Sequence, residues 1–345
     1  MRILQAISGQ NNGGAEAFFF RLAVALKEEG IEQEILVRKN LRWGDALRSE
    51  KISVQELPFK SAIDGLTKLR FRQAIQLFKP DIVLTWMSRA TSFCPKPKEL
   101  DTPFVHVARL GGYYNMKYYK NCDYLIANTE KIFDYIRTSG ISRTKIKYLP
   151  NFVDENKTEP TDKSAYSTPP DAKVILTLSR FHPNKGLEIL IEAMTNLQDV
   201  YLWLAGDGEL WDDLEKLSVK LGVRPRVRFL GWHDDPSPLL SSCDLVICPS
   251  RIEPLGNVIL DAWAHKVPVV ATTSDGPKSL IKNKKNGILV PVDDSKTLSL
   301  AIKNLLRDPK MIRRLVFEGK RTFDSNFTKG IVVNKYRKFF KEVLA

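Results

Sequence analysis

Two doubly wound α/β domains are the fold class predicted by this 345-residue sequence. Three observations carry that expectation. Apolar strand-like runs alternate with helix-period segments through both halves, the pattern of parallel βα units. A polar, proline-bearing stretch from Glu155 to Asp171 separates the two series. The segments equipped to bind a ligand mostly follow strands, and open parallel sheets hold ligands beyond the carboxyl ends of their strands.

In the first half, strands are expected at Arg2–Ser8, Gln33–Val37, Ile52–Leu57, Asp81–Trp86, Phe104–Val107, Tyr124–Ala127 and Ile146–Leu149, with helices at Ala15–Glu29 and Ala62–Phe78 between them. Pro169-Pro170 stands near the end of the dividing stretch, which is expected to be an exposed linker. The alternation resumes with strands at Lys173–Ser179, Val200–Ala205, Val227–Leu230, Asp244–Cys248, Pro268–Ala271 and Gly287–Val290. Three helices close the chain, near Ser295–Leu306, Pro309–Phe323 and Lys329–Leu344. A cleft between the domains is the expected place for ligands.

Composition narrows the function. With 43% hydrophobic and 27% charged residues the chain is an ordinary globular protein, and no run approaches the roughly 20 apolar residues of a membrane span. Met1 to Ile7 is too short an apolar run for a signal peptide. Cys94, Cys122, Cys243 and Cys248 lack zinc spacing and suit free thiols in a reducing cytoplasm. The net charge of +13 implies an anionic partner, and residues 310–345 hold ten Lys/Arg against three acids. Nucleic acid is not expected, because no zinc finger, RNP-type aromatic signature or helix-turn-helix stands out.

The most informative segment is Ser250 to Asp261, Ser-Arg-Ile-Glu-Pro-Leu-Gly-Asn-Val-Ile-Leu-Asp. It follows a buried strand and is expected to open a helix with Pro254 and Gly256 in the first turn. A helix start presents free N–H groups and the positive end of the macrodipole, which suits a phosphate. Glu253 and Asp261 would bracket that spot roughly 12 Å apart if helical rise applied throughout.

Four further segments bear on binding. Ser179-Arg180-Phe181-His182-Pro183-Asn184-Lys185-Gly186 sets two cations across a turn, a combination able to neutralise a diphosphate. Gly206-Asp207-Gly208 allows either close backbone approach to a ligand or a plain strand–helix turn; the full GxGxxG spacing of dinucleotide enzymes is missing. Gly9-Gln10-Asn11-Asn12-Gly13-Gly14-Ala15-Glu16 joins the first strand to the first helix and is not a P-loop. Arg109 to Lys120 mixes Tyr113, Tyr114, Tyr118 and Tyr119 with Arg109, Lys117 and Lys120. It suits a membrane–water interface or an acceptor-binding lip, or else a helix covering the sheet. His106, taken as the carboxyl end of its strand, is either a satisfied core residue or a catalytic one.

In order and spacing these segments resemble glycosyltransferase family 4, retaining nucleotide-sugar transferases of the GT-B fold, which pairs two Rossmann-like domains. The pieces are Gly13-Gly14-Ala15-Glu16, His106, Pro150-Asn151-Phe152-Val153-Asp154, Arg180 with Lys185-Gly186, Gly206-Asp207-Gly208, Phe229-Leu230-Gly231 and Glu253-Pro254-Leu255-Gly256 with Asp261. The resemblance implies an acceptor-side domain at 1–168 and a donor-binding domain at 169–325, with a last helix at 326–345 packing back on the first. It implies that Arg180 and Lys185 hold the donor diphosphate, that the helix opening at Leu255 and Gly256 supports the same charge, and that Glu253 binds donor-sugar hydroxyls. Asp261 would meet the ribose, Gly231 would lie near the base, Gly13 and Gly14 near the diphosphate and sugar, and Gly206 within the donor site. His106 would sit near the reacting sugar, and Glu16, Arg109, Tyr113, Tyr114, Lys117 and Lys120 on the acceptor or membrane side. One departure stands out: the family's Glu-x7-Glu ends here in Asp261, one methylene shorter.

The resemblance further implies metal-independent hexosyl transfer without a cofactor, from a UDP- or GDP-sugar to a glycan or glycolipid. Val107 to Tyr114 and Glu253 to Trp263 resemble bacterial enzymes building lipopolysaccharide cores or related surface glycans. The expected location is cytoplasmic, peripheral to an anionic membrane face. A GT-B sugar-nucleotide epimerase is the alternative, and a basic nucleic-acid binder a more distant one. A pyridoxal phosphate phosphorylase fits poorly at this length.

Overall fold

The computed structural model describes residues 1–10, 13–60, 64–156 and 158–345. Asn11 and Asn12 of the glycine-rich loop, residues 61–63 at the expected start of the second helix, and Lys157 lie outside the described residues. The chain divides into two compact units, Met1–Phe152 with Lys329–Ala345, and Val153–Thr328.

Among the described residues the first unit holds seven parallel strands: β1 (Arg2–Ile7), β2 (Glu32–Arg38), β3 (Ser53–Leu57), β4 (Ile82–Trp86), β5 (Val105–Leu110), β6 (Tyr124–Ala127) and β7 (Ile146–Tyr148), in the order β3-β2-β1-β4-β5-β6-β7. Its helices are α1 (Gly14–Glu28), α2 (Arg42–Ser49), α3 (Gly65–Phe78), α4 (Met87–Phe93) and α5 (Glu130–Thr138), and the chain's last helix returns to it. Strand side chains alternate between two buried faces. Ile3 and Ile7 of β1 join the α1 core, while Leu4 and Ala6 join the core under α3.

The second unit has six parallel strands: β8 (Lys173–Leu178), β9 (Val200–Ala205), β10 (Val227–Gly231), β11 (Leu245–Cys248), β12 (Val269–Thr272) and β13 (Ile288–Val290), in the order β10-β9-β8-β11-β12-β13. It carries α6 (Leu187–Ala193), α7 (Trp211–Lys220), α8 (Ser237–Ser242), α9 (Asn257–Ala264), α10 (Asp275–Leu280), α11 (Ser295–Leu306) and α12 (Pro309–Asn326). The Asp294 side chain caps α11 through Thr297 N at 2.8 Å, and Asp308 caps α12 through Met311 N at 2.9 Å, just before the Pro309 that tolerates a first-turn position. Ile175 faces the α6 and α11 core, and Val174 and Leu176 face the α9 core.

The last helix, α13 (Lys329–Leu344), buries Val332, Val333, Tyr336, Phe339 and Phe340 against Phe18, Trp86 and Phe152 of the first unit. It also forms exposed ion pairs, Arg337 with Glu29 at 2.5 Å and Lys147 with Glu342 at 2.6 Å. Apolar burial is the larger effect, at roughly 1.5–3 kcal/mol per large side chain against about 0.2–1 kcal/mol per exposed pair. The Arg337–Glu29 pair also takes up one charge of the C-terminal basic excess.

Two expectations are corrected. The unit boundary lies at 152/153 rather than 168/169, because the stretch expected to be an exposed linker packs on the second unit. Tyr166 packs edge-on to Trp203 at 5.2 Å, Thr168 is buried and accepts from Trp203 Nε1 at 3.0 Å, and Lys320 pairs with Glu155 at 3.0 Å. Aromatic burial and the indole N–H outweigh the polar composition of that stretch.

Candidate active site

In the second unit, the loops after β8, β9, β11 and β12 are joined at the carboxyl edge of the sheet. Ser179 N donates to Ala205 O at 3.1 Å and Phe181 N to Asp207 O at 2.8 Å, which ties the first loop to the second. Arg251 N and Ile252 N both donate to Asn184 O, at 2.8 and 3.1 Å, which ties the first to the third. Gly276 N donates to Glu253 O at 2.6 Å and Thr272 Oγ1 to Ser250 O at 2.5 Å, which ties the third to the fourth.

Glycines make this closeness possible. A Cβ on Gly206 would lie 1.8 Å from Ser179 O, one on Gly208 2.5 Å from Phe181 O, and one on Gly186 2.5 Å from Pro249 O. The close approach allowed by Gly206 is therefore to the neighbouring loop of the same unit. Gly206 also has φ +154° and its N–H donates to Gly231 O at 2.7 Å. Gly231 has φ +74° and open space where a side chain would stand.

Lys185 ends a 3-10 turn over Pro183–Lys185 that the His182 ring caps through Asn184 N at 3.2 Å. Its ammonium donates to Glu253 Oε2 at 2.5 Å, with the two side chains 18% and 14% exposed. Ser250 Oγ donates to the same oxygen at 3.4 Å. Arg180, on the same loop, is exposed, and among the described residues its guanidinium has no carboxylate partner. The site thus holds one neutralised ion pair and one cation free to meet an anion.

The helix after Glu253 starts later than expected. Gly256 is its N-cap, in the left-handed region at φ +91°, and α9 begins at Asn257, so Pro254 and Leu255 belong to the preceding loop. A left-handed cap stops the helix from extending back over Pro254. Helical rise therefore covers only Asn257 to Asp261, and the spacing argument for Glu253 and Asp261 does not hold. Asp261 is half-buried on α9, and its carbonyl accepts from His265 Nδ1 at 2.8 Å. Leu255 is 5% exposed and packs in the core of the unit.

In the first unit, Gly13 caps α1 with extended backbone, and Gly14 opens the helix. Glu16 is 8% exposed rather than free for an acceptor: its Oε1 accepts from Gln10 N at 2.9 Å, and a Cβ on Gly13 would lie 2.2 Å from its Oε2. Arg109 does not stand on a lip. It is 1% exposed, stacked 4.6 Å from the rings of both Phe18 and Trp86, and donates to Tyr336 OH at 3.1 Å and to Asn151 Oδ1. Being odd-numbered in β5, it points to the α1 face, where α13 covers it. The following segment makes only a short 3-10 turn, Met116–Tyr119, not a helix. Tyr113, Lys117 and Lys120 are exposed there, whereas Tyr114 is half-buried, and burial raises its phenol pKa.

His106 is corrected most sharply. β5 runs to Leu110, so His106 lies at the amino end of its strand, about 13 Å of strand from the ligand-binding edge at 3.3 Å per residue. It is 2% exposed, on the face opposite Arg109, with Nε2 2.9 Å from Thr85 Oγ1. In the sequence the apolar run ends at Val107, two residues before the charged Arg109, while the fold buries Arg109 as part of the strand. Burial lowers the imidazole pKa from 6.5 to about 4. The folded pKa lies below the unfolded one, so the unfolded chain takes the proton first as pH falls. His106 therefore contributes stability that is present above about pH 6.5 and is lost as pH falls toward 4. Denaturant unfolding across this window is expected to lose less stability in His106→Gln than in the parent; identical pH dependence in the two would contradict the placement.

Sequence reasoning missed Gly276, whose added Cβ would lie 2.3 Å from Leu255 O, and Thr272, which holds the Ser250 carbonyl. Ser274-Asp275-Gly276-Pro277 follows a strand as the other loops do, so the signal was present. Asn128, 4% exposed at the carboxyl end of β6, was also missed, and nothing in the local sequence sets it apart.

Comparison with known proteins agrees with this arrangement. Residues 12–157 match the model described as Glycosyltransferase Family 4, and residues 172–308 the model described as Glycosyl transferases group 1. The lipopolysaccharide core biosynthesis glycosyltransferase LpsE of Rhizobium meliloti is 35% identical over 94% of this chain and 95% of its own length. LpsD of the same organism is 32% identical over 96% of each. The structure of Anabaena HepE in complex with UDP-glucose has a TM-score of 0.87 at 21% identity, over 99% of this chain and 100% of that one, a likeness of fold. The fold is GT-B, and the chain belongs to glycosyltransferase family 4.

Proposed function

We propose that the chain moves a hexosyl unit, with retention of configuration, from a UDP- or GDP-sugar to a glycan or glycolipid acceptor in the building of lipopolysaccharide or a related surface glycan. The observation that carries the proposal is the cluster at the carboxyl edge of the second sheet: Arg180, without a carboxylate partner among the described residues, on the loop that also carries Lys185 of the Lys185–Glu253 pair. Two relatives of nearly equal length, named for lipopolysaccharide core synthesis, support the acceptor class.

Breaking an anomeric bond develops positive charge on the sugar and negative charge on the departing diphosphate. Arg180 and Lys185 meet that negative charge, and Glu253, once Lys185 turns to phosphate, is free to accept from sugar hydroxyls. The leaving phosphate oxygen takes the acceptor's proton on the same face, which retains configuration without a protein nucleophile. In this reading the two cations do the work of a metal, and no resident cofactor takes part. Gly231, with open space above it, is the proposed neighbour of the base, and half-buried Asp261 the ribose acceptor. A water would bridge the methylene by which Asp261 falls short.

No helix among the described residues is long and apolar enough to cross a membrane. The exposed Tyr113, Lys117, Tyr118 and Lys120 are proposed to touch an anionic membrane face, on the cytoplasmic side, where the lipid-anchored acceptor would stand. Binding to anionic vesicles should weaken with salt and on Lys117 and Lys120 replacement, whereas equal binding to neutral and anionic vesicles would remove this part. Arg180→Ala should lower turnover by about 10²–10³, the usual cost of losing one preorganised charge-stabilising donor. Near-parental turnover in a folded Arg180→Ala protein would reject the role given to that side chain.

A further inference from the structure

Arg251 stands two residues before Glu253 on the loop after β11, and its side chain reaches the turn that carries Lys185. Arg251 Nη1 donates to Pro183 O at 2.9 Å, where that turn begins, and to Glu188 Oε1 in the first turn of α6. Lys185 lies between these two anchor points in the chain. Arg251 Nε pairs with Asp293 Oδ1 at 2.6 Å, on the loop after β13. One guanidinium thus joins the Lys185 turn, the Glu253 loop and the loop that leads into α11.

Close packing brings the two loops within reach of this side chain. A Cβ on Gly186, the residue after Lys185, would lie 2.5 Å from Pro249 O and 3.9 Å from Arg251 Cγ. The clamp is partly sheltered from water: the Arg251 and Glu188 side chains are 30% and 29% exposed, and that of Asp293 is 50% exposed. A guanidinium suits the task because its planar fork presents several N–H donors at fixed angles. A lysine ammonium is a single point charge and cannot span the same three acceptors.

We infer that Arg251 is a positioning residue of the donor site: it holds the Lys185 turn and Glu253 in register through Pro183, Glu188 and Asp293, without touching the donor. The inference rests on the transferase reading, and that reading gives the clamp its purpose. When Lys185 turns to the diphosphate, its hydrogen bond to Glu253 is lost, and one tie between the two loops goes with it. Arg251 spends its hydrogen bonds on protein groups, so its ties persist while the donor is bound. The cation for the diphosphate and the carboxylate for the sugar hydroxyls then stay at a fixed spacing. Loss of the clamp lets Glu253 drift from the sugar while Arg180 and Lys185 still reach the phosphates.

The test is the ratio of two affinities, measured by calorimetry on the full chain: free nucleotide (UDP or GDP) against sugar nucleotide (UDP-glucose or GDP-mannose). A merely structural role would lower Tm and leave this ratio where it is. In Arg251→Gln the free nucleotide should bind within about threefold of the parent, and the sugar nucleotide about tenfold or more weakly, the usual worth of a hydrogen bond to a charged group. Arg251→Lys should fall nearly as far, because it keeps the charge and loses the fork. Asp293→Asn should move the ratio in the same direction by less, and Arg251→Gln with Asp293→Asn should cost no more than Arg251→Gln alone. If Arg251→Gln fails to fold, Asp293→Asn and Arg251→Lys carry the same comparison. An unchanged ratio beside normal nucleotide binding, or full recovery in Arg251→Lys, overturns the inference and leaves the donor reading standing. A parent that binds neither nucleotide removes the donor reading and the inference together.

Discussion

Everything proposed for the second unit depends on how tightly four loops are joined at the edge of its sheet. Backbone hydrogen bonds running from Phe181 to Asp207, from Arg251 to Asn184 and from Gly276 to Glu253 hold them, and the side-chain pair of Lys185 and Glu253 lies among them. At 14–18% exposure that pair is too sheltered to be dismissed as a solvent-screened surface contact and too accessible to be sealed core. It keeps two opposite charges ready and lets a diphosphate exchange with Glu253 for Lys185. Gly206, Gly208, Gly186 and Gly276 are the condition for it, since a side chain at any of them would collide with a carbonyl of the next loop.

The first unit is organised around a different buried charge. Arg109 sits between Phe18 and Trp86 and donates to Tyr336, so α1, β4, β5 and α13 meet on one guanidinium. Cation–π contacts worth about 2 kcal/mol when desolvated, with two hydrogen bonds, offset part of the burial cost.

Much of this was legible in the sequence. Continuous apolar runs mark parallel strands buried on both faces, and the thirteen strands among the described residues lie where such runs occur. The strand-to-helix position of Arg180, Lys185, Gly206 and Glu253 was also visible. The errors share a cause: local signals cannot show which polar groups the fold will bury. In the sequence Arg109 reads as a surface cation and the strand as ending at Val107, which puts His106 at the carboxyl end of β5, whereas the buried Arg109 extends the strand to Leu110. The polar 155–171 stretch looked like a free linker because the Trp203 that covers it lies over thirty residues away. Asn128 carries no local mark, because its unmet oxygen exists only once β5 and β6 are paired.

The central claim is that the joined loops of the second unit bind a nucleoside diphosphate through Arg180 and Lys185. Calorimetric titration of UDP, GDP, ADP and CMP into the parent and into Lys185→Met tests it most directly. The account predicts heat from one diphosphate nucleotide and its loss in the variant, with folding intact. Binding of none of the four by the parent, or undiminished binding by Lys185→Met, would contradict it.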